Sequence, residues 1–209
     1  MKKSKGTILK IILGLVLLFL YLPIVYTIVF SFNSSKSLSV FKGFSLKWYE
    51  KMFNSGEIMD AIFYTIVVAV LTTVISTVVG TITAIGMSKS KKVIRKSIEQ
   101  INDFPIMNPE IVTAIGLLMF FSAVAIRKGF VTMLLAHIMF CIPYVILSIM
   151  PKLRSLDPNL IDAALDLGAT PIQALTKVVV PQITSGIVAG ALIAFTMSFD
   201  DFVISYFVT

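Results

Sequence analysis

Five long apolar stretches divide the chain, and polar or turn-rich intervals separate them. Residues 8–32 are almost continuously apolar, long enough at about 1.5 Å per residue to cross a hydrocarbon core of about 30 Å. A second stretch, 58–87, is rich in Val and Thr, with Gly80 and Ala84 spaced for close helix contact. The third, 101–126, is interrupted early by Pro105 and Pro109. Residues 130–150 follow after a tight turn at 127–129. Residues 183–208 form the last, opened by the small pair Gly186 and Gly190. The pattern predicts an all-α polytopic membrane helix bundle, a single domain over 1–209 with five spans.

The longest polar interval, 152–182, carries its own punctuation. Asp157 can accept hydrogen bonds from a first helical turn beginning at Pro158, and that helix can run to about Leu167. Gly168 stands where a left-handed residue ends a helix. Thr170 before Pro171 repeats the start signal, and Pro181 is expected to bound the second helix. The residues thus predict two short helices around a bend. With small Ala163 and Ala164 on one side, such an elbow suits a groove on another protein, although the same chemistry also serves an ordinary surface loop.

Composition agrees with the membrane reading. Hydrophobic residues make up 57% and charged residues 14% of the chain, and the mean hydropathy is +0.94. The net charge of +7 is first a topology signal, not a nucleic-acid footprint. Lys2, Lys3, Lys5 and Lys10, the run Lys89, Lys91, Lys92, Arg95 and Lys96, and then Lys152, Arg154 and Lys177 fall on one side of the predicted bundle. They outnumber Lys36, Lys42, Lys47, Lys51, Arg127 and Lys128 on the other, which places the N-terminus and the elbow in the cytoplasm. The basic leader resembles a secretory signal, but the first apolar run is too long for a signal core and no small-residue cleavage site follows it.

Cys141 is the single cysteine, so no internal disulfide can form, and no Cys/His cluster offers a metal site. The informative polar residues are carboxylates within apolar stretches, which are costly unless they face water or a partner charge. Glu110 lies about nine residues, roughly 13 Å, into the third stretch. Asp200 and Asp201 lie near the end of the fifth. Adjacent helical residues point about 100° apart, so one of the two is expected to face a pore, Asp200 being favoured. No Lys or Arg lies beside them within a stretch, which makes a cation the natural partner. Trp48 and Tyr49 suit interfacial anchoring, or faces on which a cation could stack. His137 reads as a buried hydrogen-bonding residue and Cys141 as a packing residue. Intramembrane proteolysis needs two carboxyls on one water, which adjacent aspartates on a helix cannot supply. The chain also lacks a Gly-x-x-x-x-Gly-Lys-Ser/Thr phosphate loop, so it is not expected to hydrolyse ATP.

The elbow resembles the EAA loop of the membrane subunits of ABC importers, whose pattern is E-A-A, three residues, G, nine residues and I-x-L-P. Asp162-Ala163-Ala164, Gly168 and Val178-Val179-Val180-Pro181 stand at that spacing, with Asp162 for glutamate, Val178 for isoleucine and Val180 for leucine. Within this MetI-like superfamily the chain is further similar to the permeases of spermidine/putrescine importers. That similarity rests on Lys47-Trp48-Tyr49, Pro109-Glu110-Ile111-Val112, His137-Ile138, Cys141-Ile142-Pro143 and the segment from Ser198 through Asp200-Asp201-Phe202 to Thr209.

The resemblance implies a multi-pass permease of the bacterial plasma (inner) membrane with no catalytic or metal site and no cofactor of its own. Its implied partners are an ATPase dimer that binds ATP and Mg, a homologous second permease and an external polyamine-binding protein. It assigns ATPase coupling to Asp162, Ala163, Ala164, Gly168, Ala169 and Pro181, and the substrate path to Trp48, Tyr49, Glu110, Asp200 and Asp201. Subunits of this kind have six spans, so the sixth is expected to be missing from this sequence. An importer of ferric iron, phosphate or a phosphonate stays open as an alternative, as does a membrane scaffold without transport. An anion carrier, however, should line its path with Arg or Lys.

Overall fold

The computed structural model describes residues 2–209, with side chains from Ile8 onward, so the leader side chains Lys2, Lys3 and Lys5 lie outside the described residues. The described residues are helical apart from short connections and one isolated antiparallel bridge between Asn33 and Phe44. They form two compact units, Met1–Ile62 and Phe63–Thr209.

In the first unit, α1 (Lys2–Ser31) contains the first candidate span, Ile8–Ser31. The chain then wraps around Asn33, whose side chain is fully buried and fully satisfied. Its amide nitrogen donates to the carbonyls of Ser37 and Val40, both at 2.8 Å, and its oxygen accepts from the backbone of Lys42 at 2.8 Å and Ser35 at 3.3 Å. A buried amide that finds partners for both its donors and its acceptor fixes a loop that hydrophobic pattern alone leaves undefined. The wrap ends in a short helix, α2 (Lys47–Phe53).

The second unit is built on α6 (Phe130–Arg154), which α3 (Gly56–Lys89) and α9 (Val180–Asp200) approach closely at glycines. A Cβ on Gly80 would lie 2.7 Å from Val145 Cγ1, and one on Gly190 would lie 3.2 Å from Val145 Cα. At Gly186 it would lie 3.0 Å from the Ser148 carbonyl oxygen. Where lipid is as apolar as leucine, close backbone approach and dispersion hold helices together, so these positions have no room for a side chain. The small-residue pairs read from the sequence are therefore contact points. Val145, Ile149, Ile183, Ala194 and Ile204 fill the core around them.

Several expected boundaries are corrected. The third apolar stretch is not one straight span. It consists of α4 (Lys92–Met107) and α5 (Glu110–Ala123), bent by 109°, and the break lies at Asn108-Pro109, with Pro105 accommodated inside α4. Proline pushes the residue before it into extended backbone, and Asn108 has ψ 146°. The basic run, expected as a loop, in large part belongs to α4. Among the described residues four helices are long and apolar enough to cross a membrane, or five if the bent pair counts as one span.

In the elbow, α7 (Leu160–Asp166) starts two residues later than expected, with Asp157 Oδ1 accepting from the Asn159 backbone at 2.8 Å. Pro181 does not end the second helix. From α8 (Pro171–Ala174) the chain passes through a π-helical segment, Leu175–Val179, directly into α9, a run of 30 residues from Pro171 to Asp200. The widened turn absorbs a proline that would otherwise clash with the preceding turn. The fifth span ends early, at Asp200, and after Asp201-Phe202 a separate helix, α10 (Val203–Val208), follows.

Candidate functional site

The elbow is closed by local hydrogen bonding. The Gly168 N–H donates to the Leu165 carbonyl at 2.8 Å and the Ala169 N–H to the Ala164 carbonyl at 3.1 Å, the pair of bonds that satisfies the last carbonyls of a helix when the next residue is left-handed. Gly168 takes that conformation with φ 85°. Thr170 caps α8 through its hydroxyl, which accepts from the Gln173 N–H at 3.3 Å, while the Gln173 side chain accepts from the Thr170 N–H at 3.0 Å. Asp162, Ala163 and Gly168 are exposed, Ala164 and Ala169 half-buried. Leu167 is 90% exposed and Ile172 74% exposed, an apolar surface around a fixed bend that sequence reading did not single out. Pro181 lies two residues beyond the π segment, in the first turn of the helix that leaves the elbow.

At the far end of that helix the carboxylates separate. Asp200 is the last residue of α9 and is exposed. Asp201 has left the helix, with ψ 122°, and its side chain is 1% exposed. The two aspartates therefore point apart because the helix stops between them, not because of the angular step along a helix. Asp201 accepts from the backbone N–H groups of Ile204 at 3.2 Å and Ser205 at 2.8 Å, and from the Ser205 hydroxyl at 3.0 Å, capping α10. Its Oδ2 also lies 3.2 Å from His137 Nε2.

His137, 3% exposed, is the buried hydrogen-bonding residue the sequence suggested. Its Nδ1 is 2.7 Å from Ser198 Oγ and its Nε2 3.0 Å from Ser205 Oγ. With the ring proton on Nε2, that nitrogen donates toward Asp201 and Ser205 while Nδ1 accepts from Ser198. Cys141, also buried, directs its thiol to the Ala194 carbonyl at 3.6 Å, in keeping with a packing role.

Glu110 stands exposed in the first turn of α5, directly after the Asn108-Pro109 break. Its carboxyl lies beside that of Asp201. Two helix breaks, one in each of two separate apolar stretches, thus bring Glu110 and Asp201 together. Ser198 and Ser205 were not singled out from the sequence. Their signal was the spacing Ser198, Asp201, Ser205, a polar stripe at i, i+3 and i+7 with one lone histidine to receive it.

Trp48 and Tyr49 belong to the first unit. The Trp48 indole donates to the Asn33 carbonyl at 2.9 Å, and the Tyr49 hydroxyl lies 2.8 Å from Ser31 Oγ. Lys47 Nζ sits 4.9 Å from the centre of the Trp48 ring, so this aromatic face already receives an ammonium from its own chain. A cavity of about 470 Å3 opens here, lined by Phe30, Ser31, Lys36, Trp48, Tyr49 and Met52 among others.

Comparison with known proteins places this geometry. Residues 76–209 match the family described as binding-protein-dependent transport system inner membrane component. The chain is 36% identical to the spermidine/putrescine transport system permease protein PotC of Haemophilus influenzae, over 91% of this chain and 74% of the relative. It is 34% identical to PotC of Escherichia coli, over 91% of this chain and 72% of the relative. It is 35% identical to the putrescine transport system permease protein PotI of Escherichia coli, over 99% of this chain and 75% of the relative. A helical bundle with several membrane-crossing segments, matched to one family over its whole second half and to permeases along most of their length, belongs to the binding-protein-dependent transport system inner membrane components.

Proposed function

We propose that the chain is the permease subunit of an ATP-driven importer of polyamines, the class that includes spermidine and putrescine. The observation that carries this reading is the carboxyl cluster of Glu110, Asp200 and Asp201 at the ends of broken helices. Among the described residues no Lys or Arg forms an ion pair with any of the three. An arriving ammonium offers these neighbouring carboxyls the counter-charge that no Lys or Arg ion pair gives them.

An extended polyamine carries ammonium groups separated by methylenes, so it is matched by spaced carboxylates and aromatic faces of the kind Trp48 and Tyr49 offer. Weak serial sites of this kind let the solute leave again. The relatives' own substrates, spermidine and putrescine, favour the same class.

In this reading the chain forms the pore with a homologous permease and receives polyamine from an external binding protein. The N-terminus and the elbow face the cytoplasm, where Asp162, Ala163, Ala164, Gly168 and Ala169 meet one of two ATPase subunits. Those subunits bind ATP and Mg, and closure on ATP switches the access of the pore as a rigid-body motion.

Uptake of radiolabelled spermidine or putrescine into vesicles carrying the complete complex tests the reading. ATP-dependent uptake is expected, with Glu110→Gln raising the half-saturating concentration about tenfold, the equivalent of about 1.4 kcal/mol. Transport of phosphate or ferric iron in place of polyamine overturns the assignment.

A further inference from the structure

His137 touches no surface that a solute could reach, yet both nitrogens of its ring are engaged across the break between α9 and α10. Ser198, in the last turn of α9, meets Nδ1 at 2.7 Å, while Ser205 and Asp201 meet Nε2 at 3.0 and 3.2 Å. One imidazole on α6 therefore spans the point where the backbone ladder of the fifth apolar stretch is interrupted.

The fold of α10 does not depend on the Nε2 arm alone. Thr132 Oγ1 holds the far end of α10 through the Val208 carbonyl at 2.8 Å, and Asp201 caps its near end through two backbone N–H groups. What the Nε2 arm adds is direction. The two backbone N–H groups and the Ser205 hydroxyl that hold this carboxylate all come from α10, whereas the His137 donor arrives from another helix and fixes the plane in which the remaining lone pairs point. Glu110 lies beside that carboxylate. The other ionisable groups facing this cluster are Cys141 and Tyr144, both on α6, and Asp200 at the end of α9.

We propose that His137 is a positioning residue for the cation path: through Nε2 it orients Asp201, and Asp201 in turn sets the field at the neighbouring Glu110 carboxyl, where a passing ammonium meets it. This rests on the polyamine reading above and assigns the affinity of the exposed carboxyl to a residue that the solute never contacts. The expected signature is a change in half-saturating concentration without a matching change in maximal rate.

Two amide substitutions separate the arms of the ring. In His137→Gln the amide nitrogen can replace Nε2 against Asp201 and Ser205, while in His137→Asn the shorter amide can replace only Nδ1 toward Ser198. Both are measured in vesicles carrying the complete complex, by radiolabelled spermidine uptake normalised to the amount of assembled complex. His137→Gln should stay within about twofold of the wild type, and His137→Asn should raise the half-saturating concentration about tenfold at an unchanged maximal rate. Equal shifts in the two variants overturn the proposal, and so does an Asn variant that changes only the amount of complex or its maximal rate, since either result describes a merely structural histidine. A wild-type complex that takes up no polyamine refutes the substrate reading itself and this inference with it, whereas a transporting wild type with indistinguishable variants refutes only the inference.

Discussion

Asp200 and Asp201 are adjacent, chemically identical and oppositely placed, and the contrast makes them separable by experiment. Asp200 is exposed and appears in no hydrogen bond or ion pair with another side chain among the described residues. Removing its charge in Asp200→Asn costs the fold little, because exposed charges contribute about 1 kcal/mol or less. It should raise the half-saturating polyamine concentration three- to tenfold, read by uptake or by polyamine-stimulated ATP hydrolysis. Asp201 is buried against His137, Ser205 and two backbone donors. In Asp201→Asn one carboxylate oxygen becomes an N–H group that faces other donors, a loss of about 2–3 kcal/mol. This variant should lower the amount of assembled complex, which quantitative membrane blotting reports. An Asp200→Asn variant with unchanged concentration dependence would remove Asp200 from the path.

Among the helices, the elbow isolates what one conformational requirement contributes. A Cβ at Gly168 would meet nothing within 4 Å, so sterics inside the chain do not forbid a side chain; the obstacle is φ 85°, which costs an L-residue about 1–2 kcal/mol. In the proposed complex the same Cβ would also face the ATPase subunit. Gly168→Asp should therefore abolish uptake while the protein still inserts and reaches wild-type amounts in the membrane, checked by uptake assay beside membrane fractionation. The end of α7 and the start of α8 were legible in the sequence because Gly168, Thr170 and Gln173 act on their immediate neighbours. The fate of Pro181 was not, because whether a proline stops a helix depends on the turn before it, and a π-helical turn at Leu175–Val179 leaves no local residue signature. The break at Asn108-Pro109 was written one residue ahead of the proline, but Pro105, four residues earlier, carries the same signal and is accommodated inside α4, so the sequence does not say which proline breaks the helix. The close contacts at Gly80, Gly186 and Gly190 were visible as spacing, whereas their targets, Val145 for Gly80 and Gly190 and the Ser148 carbonyl for Gly186, are a property of packing.

Over the second unit as a whole, the continuous helix from Pro171 to Asp200 joins the two candidate sites. Thirty residues at about 1.5 Å each make a rod of about 45 Å, with the elbow at one end and the Asp201 break at the other. Had Pro181 ended the second elbow helix, displacement of the elbow would dissipate in a loop. Because the helix continues, and packs on α6 through Gly186 and Gly190, in the proposed complex a displacement of the elbow at Pro171 is carried along one rod to the end beside Asp201. In the proposed complex a motor protein touches the exposed side of the bend. The chain suits a direct test, since its one native cysteine, Cys141, is fully buried and leaves an introduced thiol as the accessible one. Ala163→Cys is the better probe, being exposed where Ala164 is half-buried. In the complete complex it should crosslink to a nucleotide-binding subunit carrying its own surface cysteine, and ATP should change the yield severalfold as the subunits close. If Ala163→Cys never reaches that subunit in a complex that still transports, force enters the bundle elsewhere and the rod is only a scaffold.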